Sequence, residues 1–101
     1  MEHILYVKAF LLDYLGDGRK KVEVQKVNRY NKNIQIGDII NFNSKVPRKV
    51  KTVHRFDNLS TALSLWDPEL ICPSLTREKI QLELEKIYGS IDINVIVFEL
   101  E

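Results

Sequence analysis

The sequence predicts an α+β fold in which a small mixed β-barrel carries two or three packed helices, all within a single domain that spans residues 1–101. Short segments rich in β-forming residues dominate the first half of the chain and return at its end. Apolar residues in the segment between them recur at helical spacing. With 45% hydrophobic residues and no apolar run near the ~20 residues that a membrane span needs, the chain fits one globular domain without a membrane partner.

The first half is predicted as strands around one short helix. Residues 3–8 predict a strand, and apolar residues at helical spacing over 9–15 predict a helix that ends at Gly16, a residue type that often follows helices. Further strands are predicted at 21–27, 38–43 and 48–56. The turn residues between them indicate a compact meander, in which the strands at 21–27 and 38–43 pair around an asparagine-rich loop.

The second half is predicted as helices followed by one strand. Helices are predicted from Asn58 or Ser60 to Trp66, and from Ser74 or Thr76 to Tyr88. The second of these has one apolar side that we expect to pack against the core, formed by Ile80, Leu84, Ile87 and Tyr88. Residues 91–100 are nearly continuous in apolar β-formers, which predicts a central strand covered on both sides.

Few residues of this chain are suited to metal or disulfide chemistry. It has one cysteine, Cys72, and two histidines, His3 and His54, which are far apart in sequence. These residues can form neither an internal disulfide nor a Cys-rich metal cluster. The amino terminus lacks the basic region and the cleavage site of a signal peptide. We therefore expect a cytoplasmic protein with no metal and no cofactor.

Charge is divided unevenly between the two halves of the chain. Residues 1–56 contain 12 Lys and Arg against 5 Asp and Glu, a balance of +7, whereas residues 57–101 contain 3 against 9, a balance of −6. A basic half in an almost neutral protein is typical of a surface that contacts phosphate. Lysines placed on exposed strand edges to prevent aggregation would give the same pattern, so both interpretations stay open.

The segment Gly18–Gln25 is the strongest candidate for a polar site. A glycine turn leads into a lysine and then into a strand, where Glu23 and Gln25 lie two residues apart and so point to the same face. Val22 and Val24 point to the opposite face. We expect a ligand site formed by Gly18, Arg19, Lys20, Lys21, Glu23 and Gln25, with Lys20 and Glu23 as the candidate catalytic residues. An ordinary ion pair between Lys20 and Glu23 is the alternative interpretation.

The order of these segments resembles the ASCH domain family of the PUA-like barrels. The matching pieces are Gly18, Lys20, Glu23 and Gln25, then Gly37–Phe42, Val50–Phe56, Leu59–Leu63, the late helix that ends in Ile87-Tyr88 and the strand Val95–Phe98. The resemblance covers nearly the whole chain. The family motif ends in arginine where this chain has Gln25, which keeps hydrogen-bonding capacity but lacks the positive charge.

The resemblance implies a cleft on a barrel that binds RNA or a modified nucleoside. Some members hydrolyse the acetyl amide of acetylcytidine with a lysine, a threonine and a glutamate, and a ribonuclease activity occurs in the wider family. Lys20 matches the lysine, but Glu23 stands at the threonine position. Pro73 stands near the glutamate position, with Glu69 the nearest upstream acid. Whether this protein is an enzyme therefore remains an open question at the level of sequence.

A second set of residues is expected to contact RNA. Tyr30 lies in the polar segment Asn28–Asn33, where its ring is expected either to stack on an unpaired base or to fold back onto the barrel. The full set of expected RNA-contacting residues is Arg29, Tyr30, Arg48, Lys49, Lys51 and Arg55. We therefore expect an RNA- or nucleobase-binding domain. The alternatives are an amidohydrolase for a modified nucleoside such as acetylcytidine, a ribonuclease, or a protein-interaction module.

Overall fold

The structure, a computed structural model, describes residues 1–101 as five strands and four helices. The strands are β1 (Glu2–Leu5), β2 (Val22–Lys26), β3 (Ile39–Phe42), β4 (Val46–Phe56) and β5 (Val95–Leu100). The helices are α1 (Ala9–Gly16), α2 (Leu59–Ser64), α3 (Pro68–Ile71) and α4 (Arg77–Tyr88). The expected α+β class is confirmed. None of the four helices has the length and apolar character required to cross a membrane.

The five strands form one mixed sheet in the order β1-β3-β4-β5-β2. The meander prediction is wrong at one connection, because β2 does not pair with β3. Instead, β2 pairs antiparallel with β5, and β3 pairs parallel with β1 and antiparallel with β4. The sheet is open, since β1 and β2 lie at its two edges and no ladder joins them. The long loop between β2 and β3 therefore runs from the β2 edge of the sheet to the strand beside the β1 edge.

Each face of the sheet carries its own apolar cluster. Val95 and Val97 of β5 pack with β2, α2 and α4 in one cluster, whereas Ile96 and Phe98 pack with β1, β3 and α1 in the other. Residues Val95–Phe98 are fully buried, as expected for a central strand between β4 and β2. The strand begins at Val95 rather than at 91, because residues 91–93 form bends.

The helices begin and end at residues with recognisable capping chemistry. The side chains of Asn58 and Thr76 accept hydrogen bonds from backbone N–H groups in the first turns of α2 and α4. Gly89 ends α4 in the left-handed conformation, with φ of 80°. Just beyond the predicted helix end at Trp66, Asp67-Pro68 begins the short helix α3, because Asp67 caps it and proline fits the first helical position.

The apolar side of α4 does not pack fully on the core. Only Ile80 is buried, Leu84 is half-buried, and Ile87 is 53% exposed. The prediction that this whole side joins the core is therefore wrong for the carboxyl-terminal half of the helix. Here α4 stands away from the sheet and leaves an open space between itself and α1.

Candidate functional site

A cleft lies along the free edge of β2, between α1 and α4. Its volume is about 520 Å³, within the usual ~300–1,000 Å³ of small-molecule sites. Residues from both faces of β2 line it, with Val24 on one side and Glu23 and Gln25 on the other. This is possible because β2 is an edge strand, so the cleft wraps around the strand instead of covering one face.

The mouth of the cleft is apolar and aromatic. Tyr6, Phe10 and Ile87 line it, and each exposes more than half of its surface. The segment that carries Tyr6 is fixed by Asn43, whose amide accepts from the backbone N–H of Val7 at 2.8 Å and donates to its C=O at 3.0 Å. Large exposed apolar side chains around a concave opening are typical of binding sites.

The floor of the cleft is polar and almost fully buried. Lys20, Glu23 and Gln25 expose 2%, 5% and 7% of their surface. The ladder places Glu23 opposite Phe98 and Gln25 opposite Ile96, so both polar side chains lie on the face covered by α1. The predicted alternation is therefore present, with Val22 and Val24 in the other cluster.

Lys20 is held by three acceptors. Its Nζ donates to the backbone C=O of Val22 and of Ile71, both at 2.6 Å, and lies 3.0 Å from Glu23 Oε1. An ammonium group has three N–H donors, so each has one acceptor within the protein. The chain reaches this position through Gly18, whose φ of 85° is one that residues with a side chain seldom adopt.

A hydrogen-bond chain continues from Glu23 into the loop after β2. Gln25 Nε2 donates to Glu23 Oε2 at 2.8 Å, and Asn31 Nδ2 donates to Gln25 Oε1 at 3.1 Å. Asn31 is fully buried and also donates to the backbone C=O of Lys26 at 2.9 Å. The floor is thus a continuous network from Lys20 to Asn31, which fixes the orientation of both carboxamides.

Three residues expected at the site lie outside the cleft. Gly18 shapes the turn but does not line the cavity. Arg19 is exposed, pairs with Asp17 at 2.7 Å and lies over the ring of Tyr14 at 4.5 Å. Lys21 is exposed because it alternates with Lys20 and Val22 on the approach to β2. The polar site is therefore narrower than expected and consists of Lys20, Glu23 and Gln25.

The expected RNA-contacting residues do not form one patch. Arg48 is half-buried and donates to the backbone C=O groups of Leu15, Lys20 and Glu101, which makes it a structural residue; burial lowers the pKa of its guanidinium. Lys49 is the next residue of β4 and points to the opposite face. Arg48 and Lys49 therefore do not belong to a common basic face.

The remaining members of that set lie at other points of the sheet. Lys51 is exposed at the bulge of β4 between Val50 and Thr52. Arg55 lies about 20 Å along the strand from Lys49, at 3.3 Å per residue, and donates to the backbone C=O of Lys32. β4 therefore distributes its basic residues over both faces and most of its length.

Arg29 and Tyr30 lie near the cleft. Tyr30 is 61% exposed, and the Arg29 guanidinium lies 4.9 Å from the centre of its ring. Tyr30 lines a second hollow, of about 440 Å³, which shares Tyr6, Gln25 and Tyr88 with the main cleft. The ring is thus available at the surface beside the site.

The residue set for acetyl-amide hydrolysis is incomplete. Glu69 is exposed and its Oε1 accepts from the backbone N–H of Ser74, so it serves the loop around Pro73. Cys72 does line the cleft, but burial raises the pKa of its thiol and so disfavours the thiolate. The structure brings no three residues among His, Cys, Asp and Glu together as metal ligands.

Several residues of the site were not expected from the sequence. Asn31 was one asparagine among several in a loop, and Tyr6, Phe10 and Tyr88 belonged to a strand or to apolar helix sides. Burial raises the pKa of Tyr88, whose hydroxyl faces the backbone of Lys26 beside the network. Helical spacing was the available signal for Phe10 and Tyr88, but spacing does not distinguish a core from a cleft wall.

The fold is shared with two solved structures. The whole chain is similar to the crystal structure of hypothetical protein PH0355, with 22% identity and a TM-score of 0.84 over 98% of that chain. It is also similar over its whole length to the solution NMR structure of protein PF0455 from Pyrococcus furiosus, with 25% identity and a TM-score of 0.68 over 96% of that chain. No protein-family model matches the sequence, and the search of curated proteins found no match. The protein is thus an α+β domain of the fold seen in these two structures.

Proposed function

We propose that this chain is an ASCH-type, PUA-like domain that binds RNA or a modified nucleoside, with a nucleobase in the cleft between α1 and α4. The observation that carries the proposal is the buried Lys20–Glu23–Gln25 network at the floor of an aromatic, apolar cleft. Nucleobases combine a flat apolar body with a polar edge. A site with aromatic walls and a few oriented polar groups complements both properties.

The floor has hydrogen-bonding capacity left for a ligand. Each oxygen of the Glu23 carboxylate accepts one bond within the protein, although a carboxylate offers about four acceptor positions. The Gln25 amide has a second N–H. A base such as cytosine, with an exocyclic amine and a carbonyl oxygen, offers a donor to Glu23 and an acceptor to Gln25. Lys20 holds the Glu23 carboxylate in place while this contact forms.

The PUA-like assignment is part of this proposal. It is supported by the placement of Lys20 and Glu23 of the motif at the cleft floor and by the helix between β1 and β2. The sheet differs from a closed barrel, because its edge strands β1 and β2 do not pair with each other. A cytoplasmic location is also proposed, on the basis of the single free Cys72.

Binding is favoured over hydrolysis by the contacts of Lys20. A nucleophile or general base needs a lone pair, whereas this Nζ donates to three oxygens. Hydrolysis of an acetyl amide would require Lys20 to leave at least one of them. Contacts to RNA beyond the bound base are assigned to Arg29 and Tyr30, since Tyr30 lines the hollow next to the cleft and Arg29 lies over its ring.

The test is an NMR titration of ¹⁵N-labelled protein with cytidine, N4-acetylcytidine and a short single-stranded RNA, with free acetate followed in the same samples. We expect amide shifts at residues 20–25 and at Asn31. Glu23→Gln is expected to weaken nucleoside affinity at least tenfold, because it removes the charged acceptor and loosens Lys20. The matched control Glu99→Gln, one strand away on the opposite face, is expected to leave affinity unchanged.

The outcomes separate the candidate functions. Absence of shifts with all three ligands contradicts the proposal. Acetate release that is lost in Lys20→Ala identifies an amidohydrolase instead. RNA cleavage during the titration identifies a ribonuclease.

A further inference from the structure

The free edge of β2 exposes backbone groups to the cleft. In the ladder with β5, Leu100 N–H donates to Lys21 C=O and Val27 N–H donates to Asn94 C=O. Antiparallel pairing alternates, so the odd-numbered residues of β2 direct their N–H and C=O groups to β5. The even-numbered residues Val22, Val24 and Lys26 direct theirs to the free edge.

Side chains form hydrogen bonds to the backbone C=O at two of these three edge residues. The C=O of Val22 accepts from Lys20 Nζ at 2.6 Å, and the C=O of Lys26 accepts from Asn31 Nδ2 at 2.9 Å. The backbone of Lys26 also faces the Tyr88 hydroxyl. These contacts belong to the same network that forms the cleft floor.

Val24 is the exception among the edge residues. It lines the cleft, and no hydrogen bond outside the ladder reaches its N–H or its C=O. The residue as a whole is 3% exposed, so it is fixed in position while its peptide groups remain without a partner. A buried-edge donor and acceptor without partners are costly, and a ligand that pairs with both removes that cost.

We propose that the main chain of Val24 binds the polar edge of the bound base. The Val24 N–H donates to a ring acceptor of the base, and the Val24 C=O accepts from a neighbouring N–H of the base. This inference rests on the proposed function and assigns the specificity of the same site. The ligand class is a base whose edge places a donor next to an acceptor, as the amine and ring nitrogen of cytosine do. Glu23 and Gln25 then contact the base from the α1 side of the strand.

Only one residue of the β2 edge, Val24, has both its N–H and its C=O free, which argues against an extended peptide as the ligand. A strand that adds to a sheet edge needs successive edge residues. Here the C=O groups two residues before and after Val24 are already bonded to Lys20 and Asn31. A single planar group fits the remaining space, and a strand does not.

Proline substitution isolates the proposed N–H contact. Val24→Pro removes an N–H that makes no ladder bond, which an edge strand tolerates. We expect Val24→Pro to weaken cytidine binding at least tenfold, about the value of one good hydrogen bond, while circular dichroism shows that the variant keeps its fold. Equal affinity of Val24→Pro and wild type overturns the inference.

Hydrogen exchange on the wild-type protein tests the inference even where the proline variant does not fold. In the free protein the Val24 amide is expected to exchange faster than those of Glu23 and Gln25, and saturating cytidine is expected to slow it at least tenfold. N4,N4-dimethylcytidine, which lacks the edge donor, is expected to bind at least tenfold more weakly.

Failure of this inference and of the proposed function give different results. Cytidine binding that depends on Glu23 but leaves Val24 exchange unchanged overturns only the main-chain contact. Absence of cytidine binding overturns both. Joint protection of the Val22, Val24 and Lys26 amides in concentrated free protein indicates strand pairing between copies and also overturns the inference.

Discussion

Glu23 and Glu99 lie on neighbouring strands, almost side by side, yet only Glu23 lines the cleft. The ladder pairs Val22 with Glu99 and Glu23 with Phe98, so the two carboxylates point to opposite faces of the sheet. Glu99 accepts from Thr52 Oγ1 at 2.7 Å and lies 3.1 Å from His54 Nε2. Both glutamates therefore have a hydrogen-bonding partner and a basic partner.

The difference between the two carboxylates is their surroundings. The Glu23 side chain is 7% exposed beneath a cleft, whereas the Glu99 side chain is 31% exposed and does not line that cleft. The Thr52 hydroxyl, and then the His54 ring, lower the pKa of Glu99. The comparison teaches that, of two similar polar groups, only the one beneath the apolar space between α1 and α4 is available to a ligand in a cleft.

The largest expected effect is that of Lys20→Met on stability. Removal of the ammonium leaves the Glu23 carboxylate buried without its cation, which costs about 3–5 kcal/mol. Urea unfolding followed by circular dichroism measures the loss. The double variant Lys20→Met/Glu23→Gln is expected to recover most of it, since no buried charge remains. A loss under about 1 kcal/mol would show that the Lys20–Glu23 pair stabilises the fold no more than a surface ion pair such as that of Lys79 and Glu83.

An intermediate effect is expected at the far end of the same network. Asn31→Ala removes a fully buried carboxamide that bonds Gln25 Oε1 and Lys26 C=O and accepts from the backbone N–H of Asn28. Leaving these groups unpaired costs about 1–3 kcal/mol. The same urea experiment measures it, with Asn33→Ala, an exposed asparagine of the same loop, as the control. Equal stability of the two variants would show that the network does not extend to Asn31.

The smallest effect is expected at Glu99. Since the pKa of Glu99 is lowered in the folded state, its contribution is present above the ordinary glutamate pKa of about 4.3 and is lost as pH falls through the folded value. Glu99→Gln is expected to cost at most about 1 kcal/mol at pH 7. It is also expected to reduce the loss of stability between about pH 5 and 3.

Thermal unfolding over that pH range checks the expectation for Glu99. Some acid dependence persists in the variant, because the pKa of Asp38 is also lowered, by bonds from the Gln35 backbone and from His3. An acid profile of Glu99→Gln that matches wild type would contradict the proposed role of the Thr52 and His54 contacts.

Local chemistry made much of the fold predictable. The caps Asn58 and Thr76 and the glycines at 16 and 89 place the helix ends within a few residues of those observed. These features act over one turn of chain, so the sequence displays them directly. The alternation of Glu23 and Gln25 with Val22 and Val24 is likewise a property of any strand.

Strand order could not be predicted from local chemistry in the same way. The predicted pairing of β2 with β3 follows the usual preference for neighbours in sequence, but β2 pairs with β5, about 70 residues later in the chain. The apolar side of α4 shows the same limit, since Ile80 and Ile87 have equal hydrophobicity and opposite exposure. The sequence also left open whether the basic residues of β4 share one face; in the structure, neighbouring residues point to opposite faces and a bulge interrupts the strand.

The sequence by itself determined the α+β class, the helix ends and the polar pair on one face of β2, because these depend on interactions between residues close together in the chain. Only the tertiary structure decided that β2 is an edge strand, that Lys20 and Asn31 cover its neighbouring carbonyls, and that α1 and α4 stand apart around Val24. Those features arise from contacts between distant segments, whose pairing depends on the free energy of the whole packed molecule.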